Sequence, residues 1–170
     1  HVPLEESCRP QVLCRLPQVG EASKPDVGPV GAVLFGDEHL DLAGRAIRLI
    51  LVGALAGERS DHALQHYLNA LGLVEDGYEV VLTSGEEEAY PFSEESELAL
   101  ELPAGALFSV LGFTALEGLT IRNARYPLKD FQLPFGSSRT ISNVAEGPIS
   151  VSLSRGRAIL LARPYDLSGA

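Results

Sequence analysis

The spacing of the apolar residues changes partway along the chain, and that change sets the architecture. Before about residue 85, short continuous apolar runs alternate with stretches of helical period. "VGAVLFG", "RLILVGALAG" and "YEVVLTSG" read as buried strands, and "DEHLDLAGRAI" as a brief helix. "SDHALQHYLNALGL" sets Ala63, Tyr67, Ala70 and Leu71 at helical spacing, with Ser60 or Asp61 to cap its start. Strand, helix, strand, helix, strand predicts a parallel sheet with right-handed crossovers. From about Pro91 onward, "ELALEL", "LFSVLGF", "LTIRNARYPL", "ISVSLSR" and "AILLARP" are short, often alternating, and divided by turn signals such as "PAG", "EG" and "SRG". That pattern predicts an antiparallel sandwich or barrel. The expected fold is therefore α/β plus all-β: a partial parallel-sheet α/β lobe over residues 1–88, then an antiparallel β-sandwich lobe over residues 89–170. Residues 1–29 carry five prolines and no sustained period, with one short strand expected at "QVLCRL".

Composition narrows the partners. At 170 residues and 45% apolar content the chain buries a real core. Its net charge of −10, with only 13 basic residues, makes wrapping a nucleic acid backbone repulsive. Cys8 and Cys14 are too few for a disulfide framework and match no zinc spacing, so free thiols of a reducing cytoplasm are expected. The longest apolar run, "LILVGALAG", is about half of what a bilayer crossing needs, so no membrane partner is expected. The first residue is His rather than Met, which suggests a start inside a longer chain or after processing.

Two polar stretches stand out. "GALAGERSDHAL", Gly53 to Leu64, lies at a strand exit, where loops and helix N-termini gather ligands in open sheets. "FQLPFGSSRTISN", Phe131 to Asn143, sets a glycine, hydroxyls, an Arg and an Asn between two apolar strands. Each has a plain structural reading as well. An Asp at a helix start caps it, and a Ser-rich loop often satisfies its own turn. Ser60, Asp61 and His62 are adjacent and cannot stack as a hydrolase triad, and neither a P-loop lysine signature nor GxGxxG is present.

Taken together, the two stretches resemble one family. "GALAGERSDH" is similar to the Gly-Ala-x-Gly-Gly-Arg-x-Asp-His segment of thiamine pyrophosphokinases. "LTIRNARYPLKDFQLPFGSSRTISN" looks like that family's thiamine-binding lobe, with Tyr126, Leu128, Phe135-Gly136 and Ser142-Asn143 in matching order. The resemblance runs from about Arg48 to Arg163. It implies an enzyme that moves a diphosphate from ATP to thiamine with Mg²⁺ and releases AMP. It also implies a homodimer with thiamine held between lobes of different subunits. By motif match, Ser142 and Asn143 would contact the aminopyrimidine, and Arg59 and Asp61 would lie near the diphosphate and hydroxyl end. Tyr126 would stack on a thiamine ring or, equally, serve as a cross-strand partner.

A loose phosphoryl-type transition state needs charge stabilisation from metal and cations, and a carboxylate to accept the hydroxyl proton. The family's Gly-Asp-x-Asp-Ser and Lys-Asp-x-Thr-Asp stretches are not intact here, and "FGDEHLDLAG" is the sole candidate. It offers Asp37 and Asp41 as metal ligands, with Glu38 as a further carboxylate beside them, and Asp37, Asp41 and Asp61 as the catalytic carboxylates. Ala56 replaces a family glycine, Glu58 is an extra residue, and His66 stands where Asn is usual. The sequence thus leaves two readings: a thiamine pyrophosphokinase, or a relative with a truncated or degenerate catalytic lobe that binds thiamine or a related molecule, or serves as a dimeric module.

Overall fold

The computed structural model describes residues 33–36, 48–55 and 59–169. A βαβ unit begins with β2 (Arg48–Val52), crosses over through α1 (Ser60–Glu75), and returns as β3 (Glu79–Thr83), parallel to β2 with Leu49 opposite Val80 and Leu51 opposite Leu82. The alternation of a pleated strand turns Leu49, Val80 and Leu82 toward Ala70 and Leu71 of the helix, and these five side chains are buried in one apolar cluster. Past the helix, Gly77 takes a positive φ of 90°, and the N–H groups of Gly77 and Tyr78 donate to the carbonyls of Val74 and Leu73, which ends α1 as glycine-terminated helices commonly end.

Two details depart from the sequence pattern. β1 (Val33–Gly36) pairs antiparallel to β2, so among the described residues parallel pairing is confined to β2 and β3. Neither Ser60 nor Asp61 caps α1: both lie inside the helix, Arg59 occupies the cap position without a side-chain cap hydrogen bond, and the Asp61 carboxylate is engaged by the Arg59 guanidinium. The expected segments "QVLCRL" and "DEHLDLAGRAI" lie outside the described residues.

The rest is sheet. β4 (Glu88–Ser93), β5 (Ser96–Leu100), β6 (Leu107–Gly112), β7 (Leu116–Ala124), β8 (Leu128–Leu133), β9 (Asn143–Leu153) and β10 (Arg157–Arg163) follow in order. One layer runs β1-β2-β3-β4-β10-β6, and β9 joins it through Asn143 and Val144 opposite Phe108 and Leu107. β9 then passes Gly147 and Pro148 and pairs in the second layer with β5 and β7, which is followed by β8. Phe108, Val110, Leu119, Ile121, Val151 and Leu160 fill the space between the layers. β10 is buried on both faces: Ala158, Leu160 and Ala162 face this core, while Ile159 faces the α1 cluster. Pro91 stands in β4 where pairing to β3 has already stopped at Ala89, so its missing N–H breaks no bond on that side.

Strand registers carry one row of paired residues across the first layer: Val52, Thr83, Glu88, Ala162, Phe108, Asn143. The strand end that leads into Gly53 and the end of the polar loop at Asn143 therefore lie at the same end of one sheet. At about 4.8 Å per strand, five steps separate their ends by roughly 24 Å. Among the described residues, no helix is long and apolar enough to cross a membrane.

Candidate functional site

The polar loop ahead of β9 is built by hydrogen bonds to its neighbours rather than by its own turn alone. Its first bend is local: Gly136 has a positive φ of 79°, and Ser137 Oγ accepts from the Arg139 N–H at 3.3 Å. From Thr140 the bonds become long-range. Thr140, 2% exposed, donates Oγ1–H to the Val110 carbonyl at 2.6 Å, and Val110 N–H donates back to the Thr140 carbonyl at 2.9 Å. Ser142 N–H donates to Ser109 Oγ at 3.0 Å while its backbone sits at φ 57°, a conformation that a non-glycine residue adopts at some cost. Asn143 is buried and bonds across to Tyr126.

Between this loop and the corner joining β7 to β8 lies an open cleft of about 510 Å³, with Tyr126, Pro127 and Leu128 on one wall and Arg139, Ile141 and Asn143 on the other. Two large apolar residues of its lining stand exposed, Tyr126 at 61% and Ile141 at 39%; Phe135, at 72%, is exposed in the same loop. The two cations nearest the cleft are engaged elsewhere. The Arg125 guanidinium donates to the Gly169 carbonyl at 2.6 Å, and Arg139 lies over the Phe131 ring, 5.1 Å from its centroid.

Of the sequence-predicted residues, the structure thus brings Tyr126 and Asn143 to one cleft. Ser142 is exposed beside it and does not line it. Arg59 and Asp61 lie at the far end of the row, at the start of α1, which packs on β3, β4 and β10. They clasp each other at 3.1 and 2.5 Å, both well exposed. The Arg59 hydrogen bond and charge hold the Asp61 carboxyl below the usual range, and Asp61 raises the Arg59 guanidinium further. The turn before them is tied down by Gly53 N–H to the Thr83 carbonyl at 2.7 Å, and by His66, whose Nδ1–H donates to the Ala54 carbonyl at 2.6 Å. Asp37, Glu38 and Asp41 lie outside the described residues. Among those described, no three His, Cys, Asp or Glu side chains converge.

Sequence reasoning did not single out Ser109 or Thr140, which anchor the loop. A hydroxyl inside the apolar run "LFSVLGF" was the available signal for Ser109. Thr140 carried none beyond its place among other hydroxyls.

Residues 95–157 match the family model described as thiamin pyrophosphokinase, vitamin B1 binding domain. This span contains the cleft and every bond that builds its loop. The fold is similar to solved structures of thiamine pyrophosphokinases. The Bacillus subtilis protein aligns at a TM-score of 0.64 and 22% identity, over 69% of this chain and 55% of that one. The Geobacillus thermodenitrificans protein aligns at 0.61 and 21%, over 75% and 59%. The Candida albicans protein aligns at 0.57 and 13%, over 68% and 44%. The chain thus spans between two fifths and three fifths of the length of these structures. No curated protein matches the sequence. Over residues 95–157 the chain is similar to the vitamin B1 binding domain of thiamin pyrophosphokinases, and its fold is similar to that of solved members of that family.

Proposed function

We propose that the chain binds thiamine in the cleft between Tyr126 and Asn143 and, as a homodimer in the cytoplasm, transfers a diphosphate from ATP to it. The observation that carries this reading is that the matched motif residues Tyr126 and Asn143 meet in one cleft, although 17 positions separate them in the chain. The exposed Tyr126 ring offers a π face to the thiazolium or pyrimidine, and the net charge of −10 favours a cationic ligand. Ser142, exposed at the margin, adds a hydroxyl for the aminopyrimidine.

Chemistry at the other end follows from the bond changes. The thiamine hydroxyl oxygen attacks the β-phosphorus of ATP, the bond from that phosphorus to the oxygen bridging to the α-phosphate breaks, AMP leaves, and the hydroxyl proton passes to a base. When bound, Mg²⁺ supplies charge stabilisation on the phosphate oxygens. Asp37 and Asp41 are the ligands that sequence offers for it. Arg59 would hold the diphosphate. Asp61, held below its usual range by Arg59, is a weak base while paired and would accept the proton once Arg59 turns to phosphate. The separation of roughly 24 Å along the sheet favours a site completed between subunits, one supplying the Arg59 turn and its partner the Tyr126 cleft.

A second reading, a thiamine-binding relative without kinase chemistry, is favoured by the missing double-aspartate motif. Incubation with ATP, Mg²⁺ and thiamine separates the two. AMP formed in proportion to thiamine diphosphate supports the enzyme. Saturable thiamine binding without AMP supports the non-catalytic relative. Neither binding nor turnover removes both.

A further inference from the structure

We infer that Asn143 is a positioning residue: it acts on the ligand by fixing the backbone of Tyr126 rather than by reading the aminopyrimidine itself. This deepens the thiamine reading and rests on it.

The Asn143 side chain is 3% exposed, and its amide is almost fully committed. Oδ1 accepts from Tyr126 N–H at 3.1 Å and from Val144 N–H at 2.9 Å, while Nδ2 donates to the Tyr126 carbonyl at 2.9 Å. Two N–H groups on one side and a carbonyl on the other orient the amide uniquely, because its reversed form would place donors against donors. Both lone pairs of Oδ1 are used, so Asn143 cannot accept from the exocyclic amine of thiamine. Only one N–H is left over.

What the three bonds accomplish is local rigidity. With Arg125 N–H donating to the Val144 carbonyl at 2.9 Å, they lock the Arg125–Tyr126 corner onto the first residues of β9. The corner then presents its aromatic ring 61% exposed from a fixed base. An exposed aromatic on a mobile corner would lose rotational and backbone freedom on stacking, and a pre-held one loses less.

A double-mutant cycle on the full chain tests this, with thiamine and oxythiamine, in which oxygen replaces the exocyclic amine, as probes in calorimetry. Asn143→Ala is expected to weaken both by the same factor, about tenfold, leaving their affinity ratio unchanged. Tyr126→Ala also weakens binding, and the double variant is expected to bind no worse than Tyr126→Ala within about twofold, because Asn143 acts through that residue. A collapsed thiamine-to-oxythiamine ratio in Asn143→Ala, or losses that multiply in the double variant, would overturn the inference. Should Asn143→Ala fail to fold, Asn143→Asp serves instead: its carboxylate still accepts from both N–H groups but sets an acceptor against the Tyr126 carbonyl, so it should weaken both probes alike. It should keep slow exchange at the Tyr126 amide and the same ligand ratio. Fast Tyr126 exchange in the wild type contradicts the staple. Failure of the thiamine reading looks different, with neither probe binding the wild type while Tyr126 exchange stays slow.

Discussion

The start of α1 at Arg59–Asp61, with the Gly53–Ala54 turn before it, and the cleft at Tyr126–Asn143 are built in opposite ways. The cleft is anchored by buried side chains: Thr140 to β6 and Asn143 to the β7–β8 corner, with Ser109 taking the Ser142 amide. At the turn, backbone bonds and His66 hold the chain, while the Arg59 and Asp61 side chains pair with each other in solvent. A pre-formed wall suits recognition of a neutral or aromatic surface. Paired charges in water suit exchange, since each can release its partner for an incoming phosphate or cation at small cost.

The largest effect expected on this contrast comes from β10, whose adjacent residues serve the two sides. Leu160→Ala, facing the core under the cleft, should lose about 2–5 kcal/mol in urea unfolding. Ile159→Ala should lose a comparable amount, but its hydrogen-exchange signature should fall on α1 instead. Both signatures on the same element would dissolve the distinction.

Next comes the loop anchor. Thr140→Val removes the donor to the Val110 carbonyl and should cost about 1–3 kcal/mol of stability, with weaker thiamine binding in the same variant. An unchanged affinity would detach the anchor from the site.

Between the two regions lies Tyr90 of β4, whose phenol is raised above its ordinary value by burial and by its hydrogen bond to Glu88. Since the folded state holds this proton more tightly than the unfolded chain, its contribution to stability is complete below about pH 10 and fades as pH rises beyond that. Alkaline unfolding should therefore steepen above pH 10, and Tyr90→Phe should flatten that slope.

Smallest of all is the Arg59–Asp61 pair. Arg59→Ala should leave the unfolding midpoint unmoved while the Asp61 carboxyl, followed by NMR titration, rises toward its ordinary value. In the wild type the pair should open as pH falls through the lowered Asp61 value. A marked loss of stability in Arg59→Ala would make the turn a built element like the cleft.

Much of the fold was legible because period and burial coincide. "SDHALQHYLNALGL" became α1 with Ala70 and Leu71 inward, and the alternating runs after Pro91 became strands. What escaped notice was long-range. β4 hides in "EAYPFS", where a proline and acidic neighbours mask a strand whose partners, β3 and β10, lie before it and some 70 residues after it. The antiparallel β1–β2 pairing could not be read either, because the same short apolar run serves both directions. At the site, composition marked the loop and motif order marked Tyr126 and Asn143, but not that Asn143 turns its amide onto the backbone.

The central claim is that the β-sandwich cleft takes thiamine. Amide chemical shifts of the full chain recorded during a thiamine titration test it most directly. Saturable changes should centre on Arg125 to Leu128 and Arg139 to Asn143. Saturation with shifts confined to other strands, or no shifts at millimolar thiamine, would contradict it.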